Sequence, residues 1–143
     1  MGNPPHLTLR VEPMQDFGTV LICMDGRPQR STADYLANTF GVRYLDTITT
    51  AGTVRHLAED TEQTHVLLSN LAVSVQRQSA ARGPSSARVA VVAHHDCLGN
   101  PTTESIQRQQ VVAATQRIRD LYPEAEVIGL WVGETWTVER ILA

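Results

Sequence analysis

Two short clusters carry the residues best suited to chemistry. Cys23-Met24-Asp25-Gly26-Arg27 offers a thiol, a carboxylate and a guanidinium, and His94-His95-Asp96-Cys97 offers two imidazoles, a carboxylate and a second thiol. His94-x-x-Cys97 keeps an imidazole and a thiolate close together in sequence, and both are good zinc ligands. Cys23 supplies a third ligand if the fold brings the clusters together. Two thiolates formally neutralise Zn²⁺, so the ion is a weaker Lewis acid than one held by three imidazoles. Asp25 competes for the fourth position. Arg27, two residues further on, is a permanent cation able to hold that carboxylate away in a bidentate pair. Two states stay open: Asp25 as the fourth zinc ligand, or Asp25 paired with Arg27 and the position left to hydroxide.

The elements around the clusters can be read from pattern. Thr19-Val20-Leu21-Ile22-Cys23 and Arg88-Val89-Ala90-Val91-Val92-Ala93 are apolar runs rich in β-branched residues, as is the last strand over residues 126–132. Such runs read as strands buried on both faces. A further strand is expected over residues 43–49. Ser31 or Thr32 caps a helix running to about Phe40, with Gly41 as its stop. A long helical stretch follows over residues 53–78, with Leu67, Leu68, Leu71 and Val75 on one face. A last helix runs from Thr103 to Leu121, with Ile106, Ala113, Ala114, Ile118 and Leu121 inward. Leu7, Leu9 and Val11 alternate with polar residues, so residues 1–17 read as an N-terminal arm or edge strand.

Alternating strands and helices imply an α/β fold: one domain over residues 18–143, with a mostly parallel β-sheet flanked by helices. Ligands of such folds collect at the carboxyl ends of the strands, where both clusters lie. If strands 19–23 and 88–93 are neighbours, their ends are roughly 5 Å apart, and Cys23, His94 and Cys97 converge on one tetrahedral ion.

The bulk properties agree. A length of 143 residues suits one domain, and 42% hydrophobic with 19% charged residues is an ordinary globular balance. The net charge is -3 and the twelve basic residues, all Arg, are scattered, so no basic footprint for nucleic acid exists. No run approaches the roughly 18 apolar residues of a membrane span. The N-terminus does not read as a signal peptide, so a cytoplasmic location is expected, with free thiols rather than a disulfide.

Cys23-x-Asp25-x-Arg27 followed by His94-x-x-Cys97 resembles the signature of the β-class carbonic anhydrases. Ile48-Thr49-Thr50-Ala51-Gly52 is similar to that family's strand ending in Asn-Ala-Gly, and residues 68–76 and 89–97 follow in the family's order. The resemblance implies zinc held by Cys23, His94 and Cys97, an Asp25–Arg27 dyad governing access to it, and reversible hydration of CO₂ to bicarbonate by zinc-bound hydroxide. It implies that Gly52 shapes the substrate pocket with its backbone, and that the protein is a homodimer or higher homo-oligomer. The chain departs from the pattern in three ways. Gly26 stands where the family usually has a small polar residue. Leu98 separates Cys97 from Gly99. The chain is shorter than typical members, without their partner-wrapping helices. Two alternatives therefore stand beside CO₂ hydration: a non-catalytic zinc- or bicarbonate-binding homologue, and a hydrolase of carbon disulfide or carbonyl sulfide on the same site.

Other residues have several readings. His95 is a proton shuttle, a donor behind the ligands or a solvated side chain. Asp96 reads as a loop or capping residue, Trp131 as core and Trp136 as rim. His56 and His65 read as surface or packing residues. Arg30 lies one position too far from Cys23 for a phosphatase-like Cys-x5-Arg. A dinucleotide glycine fingerprint, a P-loop and a Cys-x-x-Cys redox pair are absent. A thiol-based redox or persulfide role for Cys23 beside Arg27 is the remaining reading of a different kind.

Overall fold

The computed structural model describes residues 16–83 and 86–141. The arm expected over residues 1–17 thus lies almost wholly outside the described residues. The elements are β1 (Phe17–Cys23), α1 (Gln29–Phe40), β2 (Tyr44–Thr50), α2 (Thr53–Ala58), α3 (Glu62–Arg82), β3 (Arg88–His94), α4 (Glu104–Leu121), β4 (Glu126–Val132) and β5 (Val138–Ile141). They form one α/β domain around a five-stranded sheet in the order β2-β1-β3-β4-β5. All pairings are parallel except β4–β5.

β1, β3 and β4 lie inside the sheet and are almost wholly buried, which is why they read as continuous apolar runs. Alternate side chains supply two cores. Leu21, Val89, Val91, Val127 and Trp131 pack against α2, α3 and α4 through Leu57, Leu71 and Ile118. Val20, Ile22, Val92, Ile128 and Leu130 pack on the other face against Leu36 and Phe40 of α1. Gly129 lets α4 approach β4 closely: a Cβ there would stand 2.5 Å from Val111 Cγ1.

Four expectations need correction. The helix capped at Ser31 or Thr32 begins earlier, at Gln29, with Pro28 at the N-cap; a φ of -83° at Pro28 already suits a helix start, and Ser31 bonds the Pro28 carbonyl within the first turn. The stretch over residues 53–78 is two helices. Thr61 and Thr64 form a reciprocal cap that starts α3 afresh. On α4, Ile106 and Leu121 are 44% and 51% exposed, while Gln107, Val111, Ala114, Thr115 and Ile118 face inward. Ala113 is exposed as well. Finally, β5 turns back on β4 as an antiparallel edge. Among the described residues no helix is long and apolar enough to cross a membrane.

Candidate metal centre

The chain leaves β1 for one side of the sheet and β3 for the other. The carboxyl ends of these neighbouring strands therefore form the crevice where ligands of open α/β sheets bind. Cys23 is the last residue of β1 and His94 the last of β3. A turn through Asp96, whose φ is 57°, brings Cys97 back beside them. The ligand atoms of Cys23, His94 and Cys97 all lie within 4.8 Å of one another, and the three residues are 5%, 1% and 6% exposed. The Asp25 carboxylate is not part of this group.

The donor set fits a tetrahedral zinc ion. Two sulfurs each about 2.3 Å from one ion at a tetrahedral angle stand about 3.8 Å apart, and the two Sγ atoms are 3.7 Å apart. His94 Nδ1 lies 2.8 Å from the His95 carbonyl. That carbonyl needs a donor, so the proton sits on Nδ1 and the Nε2 lone pair is free. Nε2 is buried with no hydrogen-bond partner, an orphan that a metal ion satisfies.

Without metal, the two thiols compete for charge. Cys97 donates to Cys23, which holds the Cys23 thiol far below the usual thiol range despite its burial, with help from His94 and the amides of Asp25 and Gly52. The Cys97 thiol is pushed up by the same contact and by burial. Burial opposes charge on His94, but the Cys23 sulfur and the His95 carbonyl outweigh it and raise its pKa.

The surrounding backbone aims these groups. Gly52, at φ 65°, donates its amide to Cys23 Sγ at 3.3 Å. A Cβ on Gly52 would lie 2.4 Å from the Gly99 carbonyl oxygen, and one on Gly99 would lie 2.5 Å from Gly52 N, so the two loops touch through bare backbone. Leu98 is accommodated by pointing outward, 88% exposed, while Gly99 keeps the contact. His56 is buried and bridges the Ala51 carbonyl (3.2 Å) and the Thr61 hydroxyl (2.6 Å), tying the Gly52 loop to the start of α3. Gln29 Nε2 donates to the Cys23 carbonyl at 2.7 Å, and Gln107 Nε2 to the His94 carbonyl at 3.0 Å. Neither was anticipated. A glutamine on an apolar helix face was the available signal for Gln107, and it explains the rotation of α4.

Asp25 and Arg27 are paired. Arg27 Nη2 lies 2.7 Å from Asp25 Oδ2, Nε lies 3.1 Å from Oδ1, and the Arg27 amide donates to Oδ1 at 2.9 Å. These bonds pull the Asp25 carboxyl down to about 2. Arg27 also reaches Asp96, and its guanidinium lies over the Trp136 ring, 4.8 Å from the centroid. Trp136 thus belongs to the mouth of the site, and Asp96 does more than shape a loop. His95 is exposed, with its ring 6.3 Å from that of Trp136. His65 is exposed on α3, and Glu134 is exposed in the turn after β4.

The chain matches the family described as "Putative carbonic anhydrase" over residues 14–142. No curated protein and no solved structure matches it.

Proposed function

The chain belongs to this carbonic anhydrase family, and we propose that it is a zinc-dependent lyase that interconverts CO₂ and bicarbonate. The observation that carries this reading is the buried cluster of two sulfurs 3.7 Å apart with an unpartnered His94 Nε2. Cys23, His94 and Cys97 would hold the ion. Bound zinc supplies Lewis acidity that makes water a nucleophile near neutral pH. The Gly52 amide supports the Cys23 thiolate, and the His95 carbonyl fixes the His94 tautomer. Asp25, kept ionised and turned toward Arg27, would not compete with water for the ion. Its oxygens would accept a hydrogen bond from the attacking water and so orient a lone pair toward CO₂. One CO₂ and one water give bicarbonate and a proton, which the exposed His95 imidazole relays to solvent. Gly52 lines the pocket with backbone alone. We also read the protein as a cytoplasmic homodimer or higher homo-oligomer. The resemblance to the β-class enzymes supports the oligomer.

The test pairs metal content with CO₂ hydration on one sample. The purified chain should carry about one zinc, lost in Cys97→Ser and His94→Ala. Hydration followed by stopped-flow pH change should rise from pH 6 to pH 9 and vanish in Asp25→Ala. A zinc-loaded chain inactive across that range would overturn CO₂ hydration. Turnover of carbon disulfide or carbonyl sulfide by that sample would move the substrate assignment, and no turnover of either would leave a non-catalytic binding protein.

A further inference from the structure

Among the described residues, two that are not glycine have a positive φ: Asp96 at 57° and Trp136 at 59°. Side chains, above all bulky ones, rarely adopt this conformation. Strained backbone of this kind gathers where the surroundings over-determine it, often at functional sites. Here both residues come from different loops and converge on the same group, the Arg27 guanidinium.

That guanidinium is used on every side. Nε and Nη2 bond Asp25. Nη2 also reaches the Asp96 carbonyl at 3.0 Å, and Nη1 reaches Asp96 Oδ2 at 3.3 Å. One face lies against the Trp136 ring at 4.8 Å, a cation–π arrangement. A tight turn delivers the ring: Trp136 N donates to the Gly133 carbonyl, and Gly133 N to that of Thr137. The same ring stands 6.5 Å from the ring of His94. An arginine with three nitrogens and a face engaged has little rotamer freedom left, although its side chain is 45% exposed.

We propose that Trp136 and Asp96 are positioning residues that lock Arg27 onto Asp25 and so keep the Asp25 carboxylate off the metal position. The proposal rests on the metal reading of the Cys23–His94–Cys97 cluster. Without the ring and the Asp96 contacts, Arg27 is a single exposed side chain, and Asp25 is free to compete for the fourth ligand position. The lock explains why a tryptophan occupies a backbone conformation that glycine adopts without strain.

The experiment uses the Co²⁺-loaded chain with thiocyanate as probe, read by the visible absorption of the metal. Trp136→Gly removes the ring while suiting the backbone, so the variant should fold and keep one cobalt per chain. Its affinity for thiocyanate should fall about tenfold or more, because the Asp25 carboxylate occupies the position; Trp136→Phe, which keeps an aromatic face, should stay within about threefold of the parent. Adding Asp25→Asn to Trp136→Gly should restore thiocyanate binding. Unchanged affinity in Trp136→Gly, or a loss that Asp25→Asn does not restore, overturns the lock. A parent chain that takes up no cobalt overturns the metal reading instead, and the lock falls with it.

Discussion

Replacing glycines one at a time separates what the backbone around the candidate metal site requires from what any turn requires. Gly52 has φ 65°, and a Cβ there would stand 2.4 Å from the Gly99 carbonyl oxygen and 2.6 Å from its carbon. Gly41 has the same φ of 65° with nothing within 4 Å, and Gly26 has neither restriction. Gly26→Ala should therefore change stability by no more than about 0.5 kcal/mol. Gly41→Ala should cost about 1 kcal/mol, the left-handed penalty alone. Gly52→Ala carries that penalty and must also move rigid backbone, at about 1–3 kcal/mol. The shift weakens the amide bond to the Cys23 sulfur, worth about 1.5 kcal/mol. The expected total is about 4 kcal/mol. Urea unfolding with a chelator present measures the series, with unchanged slopes as the check on two-state behaviour. Chelator competition should show zinc affinity about tenfold weaker in Gly52→Ala alone. If Gly52→Ala behaves like Gly41→Ala, or binds zinc as tightly as the parent, the argument that Gly52 and Gly99 hold the site by backbone contact is wrong.

Other perturbations probe the surroundings. His56→Ala should weaken zinc binding several-fold by freeing the Ala51–Gly52 loop, with His56→Gln recovering part of the loss; equal affinities in all three proteins would remove His56 from the site. Gln78, buried on α3, donates to Thr19 and accepts from the Arg88 amide. Gln78→Met should cost about 2 kcal/mol by stranding those partners and leave zinc affinity untouched, whereas a loss of metal would mean that the network reaches the centre. In the metal-free chain, thiolate absorbance near 240 nm should persist well below the ordinary thiol range, because Cys97 holds Cys23 ionised. Its disappearance around pH 8 to 9, as for an unperturbed thiol, would contradict that contact.

Much of the candidate site's geometry was legible because its residues sit where regular elements end. Cys23 and His94 close apolar runs, and parallel neighbours place such ends together. Both states of Asp25 were open from the sequence, and the pairing with Arg27 follows only from side-chain geometry. Elements governed by long-range contacts were harder to read. The break between α2 and α3 depends on the Thr61–Thr64 cap and on His56, and the pattern over residues 53–78 gives little sign of either. The inward face of α4 differs from the apolar pattern because Gln107 takes a buried position to reach the His94 carbonyl, leaving Ile106 outside. β5 has a polar face and is short, so its sequence carries little strand signal. Trp136 looked like rim, since nothing local to it indicates that Arg27, far away in sequence, lies under its ring.

Zinc K-edge X-ray absorption on the purified chain reads the proposed Cys23–His94–Cys97 coordination itself. One zinc per chain is expected, with two sulfurs at about 2.3 Å and one imidazole nitrogen near 2.0 Å. The fourth ligand should be a single light atom that added thiocyanate displaces. A chain without zinc, a sulfur count other than two, or a fourth ligand that Asp25→Asn removes and thiocyanate does not would contradict it.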